Sequence, residues 1–500
     1  MSGIYNVACE LLDRNAMARG DKIAVYYQDQ KITYGELQKQ VNRFGNLLGE
    51  LGVSPGERIL IALPDCPACV YAFLGSIKYG AWPVLVSPLL SASTNAFLLN
   101  DSRASAAFTT NGFQAPQVRA EYLRHLLCID DEGFMERTAA VSPELDPYPS
   151  REDDIAFLLY SSGSTGNPKG VPHRHRDLPF TADVYGRGVL QVSETDLCFS
   201  ASKLFFAYGL GNSISFPLRA GAAVVLDPDK ATALEIFKII ATYRPSLFFG
   251  VPTLYNMMLK TLNDTHTLDP LRLCASAGEA LPAATYHSWK KLTGLEIIDG
   301  IGSTEALHIF ISNRPGAVRP GTSGYLVPPY EARIVNGDGL PVPSGEPGHL
   351  LIRGKSTAPY YWNRPDKTAE TMLADGWLRT GDIYIEEGGC YSFQGRADDM
   401  FKVDAHWVSP ITVEEALREH PAVLECAVTW RKLEGLVVPL AYVVPGPGPQ
   451  EEMKLYRELR AHVLQKLPEY MCPVQIIFCT ELPKTDTGKI QRFRLRNEVK

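Results

Sequence analysis

The 500-residue chain contains no apolar run long enough to cross a bilayer; its least polar early stretch, Ile59 to Ser91, is broken by Asp65, Lys78 and several prolines. It opens with no basic segment leading into an apolar one, so neither a secretion signal nor a membrane partner is expected, and the expected location is cytoplasmic. Basic charge is in deficit. The 49 Lys+Arg against 56 Asp+Glu give a formal net charge of -7, which supplies no field for holding nucleic acid, though it leaves a small anionic substrate open. The ten cysteines are scattered, mostly in apolar segments such as Leu273-Cys274-Ala275, which argues against a disulfide framework and for reduced thiols. Cys66-Pro-Ala-Cys69 has no second pair nearby to complete the roughly four ligands of a tetrahedral metal site, so it reads as buried core. There is no internal repeat and no low-complexity tract. With hydrophobic residues at 45% and charged ones at 21%, the composition is that of an ordinary globular chain.

What is present is too long for one core, since single domains seldom pass about 250 residues, and at least two domains are expected. Ile23 to Tyr27 and Lys31 to Thr33 read as a hairpin, and Thr33-Tyr-Gly-Glu36 as a capping box opening an amphipathic helix. Arg58 to Leu63, Pro67 to Tyr79 and Pro83 to Ser87 read strand, helix, strand, and the rhythm returns at Gly221 to Leu226, Ala233 to Tyr243 and Leu247 to Gly250. The main body is therefore expected to be α/β with mostly parallel, buried strands. Beyond about residue 320, short strands between Gly and Pro indicate a β-rich subdomain. The last hundred or so residues read as a small α+β set. The joint is expected at Gly395-Arg-Ala-Asp-Asp399, dividing the chain into a large multi-subdomain region, 1–396, and a small mobile C-terminal domain, 397–500.

Five segments carry chemistry. The apolar strand Ile155 to Tyr160 runs into Ser161-Ser-Gly-Ser-Thr-Gly-Asn-Pro-Lys-Gly170, where glycines admit backbone amides to phosphate oxygens, hydroxyls donate, and Lys169 brings a mobile cation. The spacing is not that of a Walker A loop, because Lys169 follows Gly166 by three residues and Gly170 succeeds it. Ala275-Ser-Ala-Gly-Glu-Ala280 is a small-residue turn against which a flat base can lie. Asp299-Gly-Ile-Gly-Ser-Thr-Glu305 places Thr304 and Glu305 past the carboxyl end of a strand, where a hydroxyl can meet phosphate and a carboxylate a hard cation. Thr380-Gly-Asp382 offers a carboxylate at a tight turn for ribose hydroxyls, with a turn-capping Asp as the competing reading. Leu482-Pro-Lys-Thr-Asp-Thr-Gly-Lys-Ile490 sets a lysine on a polar loop near the carboxyl end, a feature that alone means little. The Pro172-His-Arg-His-Arg176 cluster has two equal readings, a basic patch that helps draw in ATP and a solvated charge run after a loop, and neither gives it a catalytic role.

Together and in this order, these segments resemble the adenylate-forming superfamily of acyl-CoA synthetases, luciferases and adenylation domains over nearly the whole chain. Lys203-Leu-Phe-Phe-Ala-Tyr-Gly-Leu-Gly-Asn212 and Asp299-Gly-Ile-Gly-Ser-Thr-Glu-Ala-Leu-His-Ile-Phe310 are similar to the benzoate-CoA ligase branch. The resemblance implies an enzyme joining a small aromatic carboxylic acid to coenzyme A, with ATP and Mg2+, through an aryl-AMP. By the same resemblance Ser161, Ser162, Gly163, Ser164, Thr165, Gly166 and Lys169 grip phosphates, Thr304 contacts phosphate and Glu305 holds Mg2+. Ser276, Ala277, Gly278, Glu279 and Ala280, with Asp299, Gly300 and Ile301, form the nucleotide's base site, and Asp382 and Arg396 meet its ribose. Lys489 reaches the substrate carboxylate and the α-phosphate, Asp398 is the hinge, and Ala207, Tyr208, Gly302, His308 and Ile309 line the aryl pocket. His308 has a hydrogen-bonded core histidine as its alternative. The resemblance also allows a homodimer and a lysine acetyltransferase and deacetylase acting at Lys489.

One departure bears on the second step. Relatives commonly have Lys-Val-Ser-Gly where this chain reads Lys402-Val-Asp-Ala405, so a methyl at Ala405 and a charge at Asp404 stand where pantetheine passes close to backbone. Two alternatives stay open: an aryl-acid adenylating enzyme that hands its product to a carrier-protein thiol, and a non-catalytic acyl or nucleotide sensor.

Overall fold

The computed structural model describes residues 5–115, 120–161, 167–403, 406–433, 436–446, 451–483 and 490–498. Short apolar runs bounded by turn residues have become buried strands, and two sheets carry the main body. The first has six strands in the order His125–Cys128, Ala104–Thr109, Arg58–Ile61, Trp82–Leu85, Ile155–Ser161 and Lys169–Arg174. All neighbours are parallel except the last pair, which is antiparallel and sets Ser161 opposite Lys169. The expected capping box is formed: the Thr33 side chain accepts from the Glu36 amide and the Glu36 carboxylate accepts from the Thr33 amide, starting the helix Tyr34–Glu50. Cys66 and Cys69 are buried in this core, where burial pushes both thiols up, Cys66 to about 11.

The second sheet has thirteen strands. Its parallel part contains Ala223–Leu226, Leu197–Ser200, Leu247–Gly250, Leu273–Ser276 and Ile297–Gly302. The β-rich region expected past residue 320 is present, and its strands continue this sheet. Ile297–Gly302 pairs in parallel with Leu273–Ser276 as far as Asp299, and from Gly300 onward pairs antiparallel with Ile309–Ser312. Glycine makes the switch feasible, because a Cβ at Gly300 would sit 2.8 Å from the Ile311 carbonyl and one at Gly302 2.5 Å from that of His308. The remaining strands continue antiparallel through Gly324–Leu326, Cys390–Arg396, Leu378–Glu387, Gly348–Arg353 and Glu331–Val335.

The C-terminal residues form a three-stranded sheet of Val423–Leu433, Leu436–Pro445 and Gln475–Phe478. The helices Pro410–Arg418 and Glu452–Leu464 close its core through Val413, Leu417, Leu459 and Val463. No helix among the described residues is long and apolar enough to cross a membrane.

Candidate active site

The two large sheets meet where Ile155–Ser161 and Lys169–Arg174 of one face the segment after Gly302 of the other, and most of the chemistry-bearing residues gather at that seam. The Ser161 hydroxyl lies 3.3 Å from Glu305 Oε1, and the Tyr361 hydroxyl donates to the same oxygen at 2.7 Å. The Glu305 main-chain carbonyl accepts from the Ala358 amide at 2.7 Å. Lys169 lays its Nζ over the Tyr361 ring, 4.2 Å from the centroid. Burial lowers the Lys169 ammonium from its ordinary value; Glu305 opposes that shift and Arg396 adds to it. The antiparallel pairing of Ser161 with Lys169 thus brings a hydroxyl, a cation and a carboxylate to one place.

Arg396 lies near enough to Lys169 and Glu305 for their charges to act on one another. Asp382 was expected at a turn before a strand, but it lies within the strand Leu378–Glu387, opposite Arg396, whose Nη1 donates to Asp382 Oδ1 at 2.9 Å. Gly381, at φ +79°, admits the guanidinium, since a Cβ there would approach Arg396 Nη2 to 2.7 Å. Burial alone would lower the Arg396 pKa, but Asp382, Asp398 and Glu305 together raise it.

The base-site candidates sit at neighbouring strand ends, with Ser276 opposite Asp299 in the parallel register. Ala277 is buried, whereas Gly278, Glu279 and Ala280 are exposed. Gly278 takes φ +92° and Glu279 accepts from the Thr253 hydroxyl at 3.3 Å. Burial pushes the Asp299 carboxyl up to about 8, restrained by Ser276 and the Leu281 and Gly300 amides, so the acid is largely protonated at neutral pH.

The aryl-pocket candidates form a second group. His308, 2% exposed, packs its ring against Tyr185, Tyr208 and Phe216 at centroid distances of 5.4, 5.5 and 4.5 Å. Its Nε2 is 3.3 Å from the Tyr208 carbonyl, and because a carbonyl can only accept, Nε2 carries the proton. Burial drops the His308 pKa to about 3, so the ring is neutral. Ala207 and Tyr208 lie on the helical turn Ala207–Leu210, and Ile309 is buried at the start of Ile309–Ser312. Gly211 leaves room for the imidazole: a Cβ there would meet His308 Cδ2 at 2.2 Å.

The Pro172–Arg176 cluster is not a solvated run, for His173 and His175 are 0% and 3% exposed. Successive side chains alternate faces along Lys169–Arg174, so Lys169 and His173 share one, but its four interior residues are all buried and the sequence carries no polar–apolar alternation to signal it. Tyr361, inside the aromatic run Tyr360-Tyr361-Trp362, offered no such signal. Ser162, Gly163, Ser164, Thr165, Gly166, Asp404, Ala405 and Lys489 lie outside the described residues. Asp398 is described; its carbonyl accepts from Arg496 Nη1 at 2.7 Å.

Known proteins resemble this chain over nearly its whole length. A family model described as AMP-binding enzyme matches residues 12–362, and one described as AMP-binding enzyme C-terminal domain matches 412–489. A benzoate–CoA ligase of Thauera aromatica is 44% identical, the alignment covering 99% of this chain and 96% of that protein. A 4-hydroxybenzoate–CoA/benzoate–CoA ligase of Rhodopseudomonas palustris is 40% identical over 98% of this chain and 94% of its own length. The crystal structure of an anthranilate CoA ligase in complex with anthranoyl-AMP superposes with a TM-score of 0.92 at 39% identity, covering 100% of this chain and 98% of that one. With both family models matched and full-length relatives at this identity, the chain belongs to the AMP-binding enzyme family, the adenylate-forming superfamily.

Proposed function

We propose that this protein is an ATP-dependent aryl-CoA ligase, converting benzoate or a substituted benzoate, ATP and coenzyme A to aryl-CoA, AMP and diphosphate through an enzyme-bound aryl-AMP. The observation that carries the reading is the convergence of Ser161, Lys169 and Glu305 beside the Asp382–Arg396 pair, in a chain similar throughout its length to benzoate–CoA ligases. In the first half-reaction a carboxylate oxygen attacks the α-phosphorus of ATP and diphosphate leaves. Two anions must meet: at about 4 Å and an effective dielectric of about 20 their repulsion is about 4 kcal/mol, close to three decades in rate. Charge stabilisation therefore outweighs acid–base chemistry at this step.

The residue roles follow from that need. Lys169 exchanges its place on the Tyr361 ring for the outer phosphates, together with the Ser161–Gly166 loop and Thr304. The donor set at Glu305, a carboxylate among hydroxyl oxygens, fits Mg2+, which is commonly held by one or two carboxylates plus substrate phosphates. When bound there the ion neutralises phosphate charge. Asp299, as a neutral acid, offers one donor and one acceptor to an edge of adenine, against the turn of Ser276 to Ala280. Asp382 and Arg396 face the ribose. Lys489, carried by a lid beginning at residue 397 and hinged at Asp398, supplies the cation between carboxylate and α-phosphate. The aryl ring lies against Ala207, Tyr208, Gly302 and Ile309, and the neutral His308 gives a polar edge without a charge. In the second half-reaction the coenzyme A thiolate attacks the acyl carbonyl, the acyl–phosphate bond breaks, and AMP leaves with the electron pair.

A cytoplasmic setting, a homodimer and silencing by acetylation of Lys489, which removes the cation, belong to the same proposal. The test is a benzoate-series screen that measures aryl-AMP and aryl-CoA separately, with and without coenzyme A. Aryl-AMP that accumulates without thioester would point to a carrier-protein thiol, and failure of every aryl acid to support ATP–diphosphate exchange would reject the enzyme.

A further inference from the structure

We propose that His173, paired with Asp177, is a positioning residue of the nucleotide site, holding Thr304 and Glu305 in place across the seam between the two sheets. The inference rests on the function proposed above. It starts from a contact between the sheets: His173 Nε2 lies 2.8 Å from the Thr304 main-chain carbonyl. A carbonyl only accepts, so Nε2 carries the proton and donates it. The other ring nitrogen, Nδ1, faces Asp177 Oδ2 at 3.2 Å. A hydrogen bond across that gap needs a second proton between nitrogen and carboxyl, whichever of the two owns it. Nε2–H is thereby fixed as the donor towards Thr304.

The pair is built to stay put. Both side chains are fully buried. Asp177 Oδ2 also accepts from the Arg174 amide at 2.9 Å, so the carboxylate is fixed by the strand end that carries the histidine. The imidazole stacks on Phe157, its partner across the Ile155–Ser161 and Lys169–Arg174 pairing, at 5.3 Å and 28°. On the other side of the seam, His173 holds the Thr304 carbonyl, the Ala358 amide holds that of Glu305, and Ser161 and Tyr361 hold the Glu305 carboxylate. Three of these four anchors fix Glu305; the histidine alone, among the described contacts, ties the Thr304 main chain to the sheet that also carries Lys169. Without it, the hydroxyl of Thr304 and the cation of Lys169 lose a fixed mutual distance. A displacement of about 1 Å in a positioned group can cost on the order of a hundredfold in rate.

The test uses the full-length chain with His173→Ala, His173→Gln and Asp177→Asn. It reads the Kd of Mg·ATP by calorimetry without acid, kcat and KM for ATP and benzoate in diphosphate exchange, and Tm. His173→Ala should weaken Mg·ATP by about tenfold and lower kcat by up to about a hundredfold, with the KM for benzoate within about twofold. His173→Gln, whose side-chain amide reaches the place of Nε2, should recover at least about tenfold of the lost rate. If His173 only stapled the fold, its loss would lower Tm and leave the Kd and KM values alone; that result, or equal impairment of the Ala and Gln variants, overturns the proposal. If His173→Ala does not fold, Asp177→Asn takes its place, and an unchanged Mg·ATP Kd in Asp177→Asn overturns it equally. Should the wild type bind Mg·ATP but activate no aryl acid, the functional reading fails while a weakened Kd in the variants still supports the positioning role.

Discussion

The seam between the sheets and the C-terminal helix both bury charge, and they do it in opposite ways. At the seam, Lys169 rests on an aromatic face and Glu305 on two hydroxyls, contacts that an incoming phosphate or cation can replace. At the C-terminal helix, Arg492 forks onto Glu414 with three contacts of 2.8 to 3.0 Å, and Glu414, 2% exposed, also accepts from the Val428 amide at 2.7 Å. Arg492 and Arg496 further reach Asp399, and Arg496 takes the Asp398 carbonyl. Neutral, single contacts keep a site exchangeable, whereas a bidentate ion pair with its lone pairs satisfied fixes a shape. Here the fixed shape includes Asp398, the proposed hinge, and its neighbour Asp399.

The comparison breaks most visibly at Lys489. If the C-terminal region exists to present that cation, Lys489→Ala should lower diphosphate exchange by about three decades, the rate equivalent of about 4 kcal/mol of uncompensated repulsion. Formation of aryl-CoA from synthetic aryl-AMP and coenzyme A should persist near the wild-type rate. Undiminished exchange would remove the lysine from the first step.

The fixed end is tested next. Arg492→Met strands Glu414 in the core, and breaking a buried pair from one side costs about 3–5 kcal/mol. Amide hydrogen exchange of the intact chain should show that loss in the strand Val423–Leu433, with Leu273–Ser276 protected as before. The double variant Arg492→Met, Glu414→Leu should recover most of it, because an apolar pair of similar volume leaves no buried charge. A single variant as protected as wild type would mean that the fork contributes nothing to the shape.

How much of this was legible beforehand depended on the range over which the signal acts. Helix and strand identities at Pro67–Tyr79, Ala233–Tyr243, Leu247–Gly250 and Gln475–Phe478 are encoded locally, by proline starts, periodicity and β-branched runs, and they came out with their bounds. The nucleotide motifs were legible because Gly, Ser, Thr and Lys cluster in sequence. The continuity of the thirteen-stranded sheet was not, because it depends on Ile297–Gly302 changing partners at one residue, which no composition shift announces. Nor was Asp382's position inside a strand, since its partner Arg396 lies fourteen residues away, across the hairpin. The burial of His173 and His175 was misread for a related reason: charged neighbours at Arg174 and Arg176 mask a strand whose inward faces are set by two sheets at once.

His175 gives a pH test of that buried segment. Its Nδ1 accepts from the Val7 amide at 3.2 Å, and burial, opposed by Asp154, lowers its pKa to about 4. Between about pH 6.5 and 4 the unfolded chain binds a proton at this site and the folded chain does not, so stability falls as pH falls through that window and levels off below it. The full loss is about 3 kcal/mol. His175→Asn keeps an acceptor for Val7 without a titrating ring, and urea unfolding across pH should show that part of the acid slope gone. An unaltered slope would mean that the ring is protonated in the folded protein.

The smallest effect separates exchange from fixation most sharply. Tyr361→Phe keeps the ring beneath Lys169 and removes only the O–H that donates to Glu305 Oε1. If that hydroxyl orients the carboxylate for a cation, its loss should raise the free Mg2+ needed for half-maximal diphosphate exchange by about tenfold, the low end for partners that orient a metal-binding carboxylate. The KM for benzoate should stay put. Because Tyr361 makes a single hydrogen bond to a half-buried carboxylate, Tm should move by no more than about 4 °C, unlike the broad loss expected around Glu414. A lower Mg2+ requirement in the variant would show the hydroxyl competing with the ion instead of presenting the ligand to it, and the seam would then be a lock released by substrate.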